Sequence, residues 1–409
     1  MAERVRLLLF RYSPEKLYLM SFILIRNANL YAPEPLGVQD ILISHGRISA
    51  IAEAIELDTN LPIETLDAQG QLVCPGFVDS LTHITGGGGE GGFASRTPEM
   101  NLSHAIKGGV TTVTGALGTD AIFRSHEELV AKVKSLKEEG LSAYFYTGNY
   151  HFPVKTLTGS VQKDIMLIDE CIGIGEIAIA DHRGSQITWR ELASVASQAR
   201  VGGMCSNKAG IVLVHVGPGE DHLARLFEVA EHTDIPIKQF YPTHINRSAA
   251  LLDQGIRFNK AGGVIDFTAS STPEILASGE VKCAHALKQA LQSGADENRI
   301  TFSTDGHASL PEFNSQGELV SLKVGAMTAL HDELKDAVLI ENIELETALK
   351  TVTLNPAKVL KLPHKGQLRL GADADLLLLD AHSFEINSVM AMGQWLMKNQ
   401  TIVRKGTFE

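Results

Sequence analysis

Five ionisable side chains stand at or near the carboxyl ends of strand-like apolar runs in the middle of this 409-residue chain. Histidine and carboxylate ligands that leave one coordination position open form the kind of zinc site that activates water for hydrolysis. One histidine among fifteen predicts little, but several at comparable strand ends predict one shared site. We therefore predict a metal centre built from His83, Glu176, His215, His244 and Asp305.

Glu176 is the most informative of these residues, because it lies inside an apolar run rather than after one. The run reads IGEIAIA over residues 174–180. An unpaired charge inside a buried strand is very costly, so this carboxylate must be paired or bound to a metal. A strand end shifted by two residues and a structural salt bridge remain the alternatives.

The elements that position these side chains alternate between strand-like and helical patterns. Near-continuous hydrophobicity is typical of parallel strands buried on both faces. One helical pattern, SHEELVAKVKSLKEEG, begins at Ser125, a residue suited to cap a helix. The eight apolar runs predict a (β/α)8 TIM barrel over residues 75–362, whose active site would lie at the carboxyl ends of its strands. They end in VCPGFVDSLTHI, TTVTGAL, YFYTGNY, IGEIAIAD, IVLVHVG, IKQFYPTH, GVIDFTAS and ITFSTDG.

The sequence pattern at both ends of the chain differs from that of the middle, because it consists of short β-rich runs broken by turn residues. Residues 20–74 contain three such runs, and the pattern returns over 363–409, beginning with KGQLRLGADADLLLLD. We expect the two segments to form one small all-β unit. Residues 1–19 precede the first strand-like run, and we expect them to be an N-terminal extension.

Bulk composition indicates which classes of binding partner and which cellular compartment to expect. The formal net charge of -12 argues against nucleic acid and anionic membranes. No run of 18 apolar residues occurs, so we expect no membrane-spanning helix. The isolated cysteines predict free thiols in a reducing compartment, and hence a cytoplasmic protein; they are Cys74, Cys171, Cys205 and Cys283.

PGFVDSLTH (residues 75–83) resembles the motif PGFID-x-HxH that opens the first barrel strand in the amidohydrolase superfamily. Within that superfamily the chain is most similar to the isoaspartyl (β-aspartyl) dipeptidase family, over residues 20–409. The resemblance implies that the two terminal segments form a β-sandwich domain. It also implies a homo-oligomer and an isoaspartyl dipeptide as the small-molecule substrate.

Further motifs resemble that family's substrate site. GGGGEGG (86–92) is similar to a loop whose glutamate contacts the substrate's free amino group, and YTGNYH (146–151) to a loop whose tyrosine polarises the scissile carbonyl. In that family two arginines, one after each of two later strands, clamp the substrate carboxylates. A β-aspartyl dipeptide carries two carboxylates and one ammonium, which suits this charge set. The resemblance implies Tyr150 as the carbonyl-polarising residue and a substrate site of Glu90, Thr119, Arg183, Arg247 and Ser309.

The metal site departs from the family pattern at two positions. The first histidine of HxH is replaced by Leu81, and the bridging carboxylated lysine aligns with Glu176. The family's α position therefore keeps only His83, Glu176 and Asp305. A glutamate is also shorter than a carboxylated lysine, so bridging two metals is harder for it.

The family's β position is complete, since it keeps Glu176, His215 and His244. Two histidines, one carboxylate and water complete a catalytic zinc site. We expect one Zn²⁺ per subunit at this position, although Co²⁺ or Mn²⁺ would accept the same ligands. His307 is a candidate surrogate ligand, but a loop position near substrate is favoured for it.

The expected reaction is hydrolysis of the isoaspartyl bond by a metal-activated water, with Asp305 as general base and then general acid. Another amidohydrolase activity, such as that of an N-acyl-amino-acid deacylase or a hydantoinase-like enzyme, is the first alternative. The second is a non-catalytic protein that keeps the fold, which the loss of a ligand at position 81 makes worth testing.

Overall fold

The computed structural model describes residues 22–313 and 319–409. The predicted extension, residues 1–19, lies outside the described residues. Alternating apolar residues form the first strands, which turn one buried face inward. These strands are β1 (Phe22–Tyr31), β2 (Pro35–Ser44), β3 (Arg47–Ala52), β4 (Ile63–Asp67) and β5 (Leu72–Pro75).

Eight strands follow at the places where the eight apolar runs predict them. Every residue is buried in four of these strands, which span residues 77–82, 110–115, 171–179 and 211–216, as a parallel barrel requires. They are β6 (Phe77–Thr82), β7 (Val110–Gly115), β8 (Ser142–Thr147), β9 (Cys171–Ile179), β10 (Ile211–Val216), β11 (Phe240–Thr243), β12 (Ile265–Thr268) and β13 (Ile300–Ser303).

These strands close into a barrel. β6 to β11 pair in sequence order as one parallel sheet, and β12 pairs in parallel with β13. The Ile245 amide donates to Asp266 O (3.1 Å), which joins the end of β11 to β12. The Asp305 amide donates to Leu81 O (3.1 Å), which joins the end of β13 back to β6. The predicted (β/α)8 fold class is confirmed.

Helices connect the barrel strands. Ser125 accepts a hydrogen bond from the Glu128 amide (3.2 Å) and begins the second helix, as the sequence predicts. The helices are α1 (Leu102–Lys107), α2 (His126–Glu138), α3 (Val161–Leu167), α4 (Trp189–Ser206), α5 (Ala224–His232), α6 (Ala249–Lys260), α7 (Pro273–Ala277), α8 (Cys283–Gln292), α9 (Ala329–Leu339), α10 (Leu345–Val352) and α11 (Leu354–Val359). Between β13 and α9 lies an antiparallel hairpin of β14 (Ser309–Phe313) and β15 (Leu319–Val324).

The two ends of the chain meet in one nine-stranded sheet. β5 pairs in parallel with β1 on one side and antiparallel with β16 on the other, so it joins the N-terminal strands to the C-terminal ones. Ile25, Val73 and Leu376 belong to one apolar cluster that fills the space beside this sheet. The C-terminal strands are β16 (Leu376–Leu379), β17 (Ile386–Ala391), β18 (Gln394–Lys398) and β19 (Thr401–Ile402).

The barrel interior carries two buried carboxylates. Asp79 accepts hydrogen bonds from the Thr304 amide (3.1 Å) and hydroxyl (2.5 Å), and Asp266 accepts from Thr301 and Ser303. Burial raises the pKa of Asp79 to about 7 and that of Asp266 to about 6, although the hydroxyl contacts oppose the shift. Both groups therefore titrate well above the range of an exposed aspartate.

Two expectations from composition can be compared with the structure. All four cysteines carry free thiols, as predicted. Of the helices in the described ranges, none is long and apolar enough to cross a bilayer.

Candidate metal and substrate site

The five predicted ligand residues meet at the carboxyl end of the barrel. Glu176 lies within β9 and His215 within β10. His83 and His244 directly follow β6 and β11, and Asp305 lies two residues beyond the end of β13. His244 and Asp305 adopt left-handed backbone conformations (φ 64° and 51°). Such strained positions in residues with side chains are concentrated at functional sites.

Glu176, His215 and His244 form the one three-residue group in the described chain whose ligand atoms all lie within 4.8 Å of one another. Glu176 Oε2 is 3.4 Å from His215 Nδ1 and 3.5 Å from His244 Nε2. Each imidazole therefore points a ring nitrogen at the same carboxylate oxygen. This is the group that the sequence predicts for the metal.

Glu176 supplies a test of whether a metal ion fits here. Its side chain is fully buried, and neither carboxylate oxygen has a hydrogen-bond partner among the described residues. Burial would raise the pKa of Glu176, but the contacts with His215 and His244 outweigh it and hold that pKa well below the usual range. A buried, ionised carboxylate facing two imidazoles is a donor set suited to a divalent cation.

His83 and Asp305 lie beside this group. His83 Nε2 is 3.1 Å from Asp305 Oδ1 and 3.5 Å from Glu176 Oε1. Burial lowers the pKa of His83, but the hydrogen bond that His83 donates to Asp305 and the charges of Asp305 and Glu176 together outweigh burial and raise that pKa to about 9. Leu81, where the family has another histidine, is fully buried in an apolar cluster that includes Val78 and Ala116. This second position therefore offers fewer ligands than the first.

Tyr150 reaches the metal group from the loop after β8. Its hydroxyl lies 2.7 Å from His215 Nδ1, and the two rings are tilted with centroids 4.4 Å apart. Burial, followed by the charge of Glu176, raises the pKa of Tyr150 well above 10. The hydroxyl therefore stays protonated near neutral pH and can donate a hydrogen bond.

Glu90 gathers three of the residues predicted to bind substrate. Its carboxylate accepts hydrogen bonds from Thr119 Oγ1 (3.0 Å), Arg183 Nη1 (3.3 Å) and Ser309 Oγ (3.3 Å). Its loop needs glycine, because Gly88 has a φ of 76° and a Cβ there would lie 2.6 Å from a backbone oxygen. Residues from three other parts of the chain thus converge on one carboxylate.

The two predicted clamp arginines differ in their partners. Arg183 donates from Nε (3.0 Å) and Nη2 (2.7 Å) to Asp181 and also contacts Glu90. Arg247 donates from Nη1 to Val216 O (2.9 Å), and no ion pair of Arg247 with a carboxylate occurs within residues 22–313 and 319–409. Arg247 is therefore the cation with donors still available to an incoming carboxylate.

Sequence reasoning missed Asp181, which lies between the arginine clamp and the metal group. Its side chain is fully buried, and Oδ2 is 3.0 Å from His215 Nε2. Burial would raise the pKa of Asp181, but hydrogen bonds from His215 and Arg183 hold it below its usual range. The available signal was an aspartate two residues before Arg183 at the end of an apolar run.

His307 points away from the metal group. Its Nε2 lies 3.1 Å from His104 Nδ1, its Nδ1 contacts Pro98 O (3.0 Å), and the two imidazoles stack. Burial lowers the pKa of His307 to about 4. The loop position that the sequence favours for this residue agrees with these contacts, and the surrogate-ligand alternative does not.

Comparison with known proteins identifies relatives that share this architecture. Residues 249–396 match the amidohydrolase family. The crystal structure of a β-aspartyl dipeptidase from the thermophilic, keratin-degrading Fervidobacterium islandicum AW-1, in complex with β-Asp-Leu dipeptide, superposes with a TM-score of 0.88. That protein is 44% identical, and the match covers 93% of this chain and 97% of the other.

Two more distant relatives are dihydroorotases. A dihydroorotase from Lactiplantibacillus plantarum is 23% identical over 91% of this chain and 92% of its own length. A dihydroorotase from Elusimicrobium minutum is 26% identical over 87% of this chain and 88% of its own.

A closed (β/α)8 barrel with a glutamate and two histidines at its strand ends, beside a sheet formed by both chain ends, defines an amidohydrolase. The class is generally metal-dependent, which suits the donor set described above. Given the 44% identity over nearly the whole length, the chain belongs to the amidohydrolase superfamily and, within it, to the β-aspartyl dipeptidase family. It is a hydrolase that acts on C–N bonds.

Proposed function

We propose that this enzyme hydrolyses β-aspartyl dipeptides with one divalent metal ion held by Glu176, His215 and His244. The observation that carries the proposal is the convergence of Thr119, Arg183 and Ser309 on Glu90, next to the metal group. A substrate ammonium can replace these two hydroxyl groups and the arginine as the partner of the Glu90 carboxylate. A substrate with no ammonium would leave this anion without a role.

The remaining charges suit the rest of such a dipeptide. The donors available on Arg247 fit the carboxylate of the residue after the isoaspartyl linkage, and a guanidinium binds a carboxylate through two parallel hydrogen bonds. Arg183 is bound to Asp181 through Nε and Nη2, and its Nη1, which donates to Glu90 (3.3 Å), would turn to the substrate once the ammonium binds Glu90. Ser309 and Thr119 are short donors for the aspartyl carboxylate.

The chemistry near the metal group divides between two residues. A bound divalent ion would lower the pKa of water and polarise the scissile carbonyl. Asp305 would take the proton from that water and return it to the leaving amine, since its carboxylate lies beside the metal group, with Oδ1 3.1 Å from His83 Nε2. Tyr150 would donate its hydroxyl proton as a hydrogen bond to the carbonyl oxygen as negative charge develops there.

A single metal per subunit follows from the donor sets. Glu176, His215 and His244 make a three-ligand group, while Leu81 offers no donor to the neighbouring position. Zn²⁺ is the expected ion, and Co²⁺ or Mn²⁺ are the alternatives. Metal analysis after reconstitution should find one tightly bound equivalent per chain, and two would contradict this part of the proposal.

The substrate is tested by comparing turnover of β-Asp-Leu, α-Asp-Leu, N-acetyl-aspartate, a hydantoin and dihydroorotate. We expect kcat/KM to be highest for β-Asp-Leu. Dihydroorotate is included because the more distant relatives are dihydroorotases. Faster turnover of a cyclic amide than of β-Asp-Leu would overturn the dipeptidase proposal while leaving a hydrolase.

The role of Asp305 has its own test. Asp305→Asn should lower kcat for β-Asp-Leu by roughly two to four orders of magnitude, the usual range for a general acid–base group. Asp305 lies outside the three-ligand group, so the variant should keep its metal. Near-normal turnover in Asp305→Asn would refute this role.

Assembly and location are also proposals. The family resemblance supports a homo-oligomer, and the free thiols support a cytoplasmic location. Sedimentation equilibrium of the full chain tests the first of these. A monomer at micromolar concentration would contradict it.

A further inference from the structure

Asp181 lies directly beyond β9, the strand that carries Glu176, and both of its carboxylate oxygens are engaged. Oδ1 accepts from the Arg183 amide (2.8 Å) and from Arg183 Nε (3.0 Å). Oδ2 accepts from Arg183 Nη2 (2.7 Å) and lies 3.0 Å from His215 Nε2. One buried carboxylate therefore contacts both an arginine of the substrate site and a histidine of the metal group.

The two nitrogens of His215 face different surroundings. Nδ1 is 2.7 Å from the Tyr150 hydroxyl and 3.4 Å from Glu176 Oε2, whereas Nε2 is 3.0 Å from Asp181 Oδ2. A neutral imidazole has one N–H and one lone pair, and an ionised carboxylate can only accept a hydrogen bond. Asp181 thus places the proton on Nε2 and leaves the lone pair on Nδ1, towards Glu176.

Two cations oppose this arrangement. Arg247 Nη1 lies 3.1 Å from His215 Nε2, and Arg183 Nη2 lies 3.4 Å from the same atom. A guanidinium only donates hydrogen bonds, so it favours a lone pair on Nε2 and a proton on Nδ1. That tautomer has no lone pair directed at Glu176 and cannot bind a metal through Nδ1.

We propose that Asp181 is a positioning residue that fixes His215 in the metal-binding tautomer against the two neighbouring arginines. This inference rests on the proposed metal group. Hydrogen bonds that ligand histidines donate to carboxylates raise the basicity of these histidines as well as orienting them. His244 has a neutral partner instead, since its Nδ1 lies 2.6 Å from Thr268 Oγ1.

The first test is Asp181→Asn, measured as the dissociation constant for Zn²⁺ by competition with a chromophoric chelator. The amide oxygen would keep the Arg183 contacts of Oδ1, so the amide NH2 would face His215 Nε2 and favour the wrong tautomer. We expect binding to weaken by roughly 10- to 100-fold, the usual effect of losing such a partner. An affinity within twofold of wild type would overturn the proposal.

Asp120→Asn is the matched control. Asp120 also pairs with an arginine, Arg96, at 2.8 Å, but it contacts no histidine of the metal group. The same change of carboxylate to amide should leave its Zn²⁺ affinity unchanged. An equal loss in both variants would mean that the effect is not specific to Asp181.

Arg183→Met separates the proposal from a role in holding the arginine alone. Removing the arginine takes away one competing donor, so the Zn²⁺ affinity should stay at or above the wild-type value while KM for β-Asp-Leu rises. If Asp181 only held Arg183, Asp181→Asn would show the same pattern, with intact metal binding and raised KM. That outcome would overturn the proposal.

Asp181→Glu is the second variant, needed in case the amide variant does not fold. It keeps the negative charge but moves it by one methylene, so its Zn²⁺ affinity should fall between those of wild type and Asp181→Asn. Wild-type affinity in Asp181→Glu, with Asp181→Asn unfolded, would overturn the proposal. A wild-type protein that binds no divalent ion would overturn the metal group itself, whereas metal binding without dipeptidase activity would overturn only the substrate.

Discussion

Tyr150→Phe is the most direct test of the catalytic role that we propose for the Tyr150 hydroxyl. The change removes one oxygen and keeps a ring that is only 6% exposed, so packing is preserved. The lost hydroxyl lies 2.7 Å from His215 Nδ1, which is an ordinary hydrogen-bond length. If that bond were the only loss, the free energy of unfolding would fall by about 0.5–1.5 kcal/mol and turnover would change little.

The proposed role of Tyr150 as a donor to the carbonyl oxygen predicts a much larger loss of kcat. A preorganised donor to a developing oxyanion contributes about 2.7–4 kcal/mol, or a factor of roughly 10²–10³ in kcat. We therefore expect kcat for β-Asp-Leu to fall by about that factor while KM changes little, because the bond strengthens only as charge develops. The pKa of Tyr150 lies well above 10, so the pH profile of kcat should keep its shape.

The assay is release of leucine from β-Asp-Leu by metal-loaded protein, with urea unfolding and metal content measured on the same preparations. Tyr144→Phe is the matched control, because Tyr144 lies on β8 but lines a cavity next to Gly140 and Lys365 rather than the metal group. A kcat within tenfold of wild type in Tyr150→Phe would refute the role. So would a loss confined to KM or explained by lost metal.

Three further predictions concern specificity, metal content and pH. Arg247→Lys should lower kcat/KM for β-Asp-Leu by roughly 10- to 100-fold, since a bidentate charge-assisted contact is lost; an unchanged value would exclude a carboxylate contact. Leu81→His should bind no second metal and should unfold at lower temperature, because the ring enters an apolar cluster; metal analysis and calorimetry check both. In wild type the raised pKa of Asp79, about 7, makes the folded state the better proton binder, so stability should fall as pH rises from about 4 to 7. Asp79→Asn should lose the part of that slope that Asp79 supplies, while the part from Asp266, whose pKa is about 6, remains in urea unfolding.

The barrel and its ligand residues could be predicted from sequence for a simple physical reason. Parallel strands buried on both faces are continuous apolar runs, so a charged residue at their ends stands out. Glu176 stood out even more, because it interrupts such a run. The helix cap at Ser125 was predictable because it depends on residues three positions apart.

The contacts that orient the site could not be predicted in the same way. Asp181 lies just beyond β9 and His215, 34 residues later, lies on the neighbouring strand β10, so which ring nitrogen faces Asp181 depends on how those strands pack. The convergence of loops on Glu90 likewise depends on the closed barrel. His307 shows most clearly that sequence position does not predict such contacts, since it follows Asp305 by two residues yet its ring stacks on His104.

The pairing of β5 with β16 has a consequence for synthesis on the ribosome. β5 leads directly into β6, the first barrel strand, but its antiparallel partner is translated only after the whole barrel. Domains generally fold during synthesis from the N-terminal side, and here that order cannot hold, because the sheet stays incomplete until the last strands emerge. The nascent chain therefore carries an unpaired strand edge beside its first barrel strand throughout elongation, and such an edge is a template for aggregation that chaperones would have to shield.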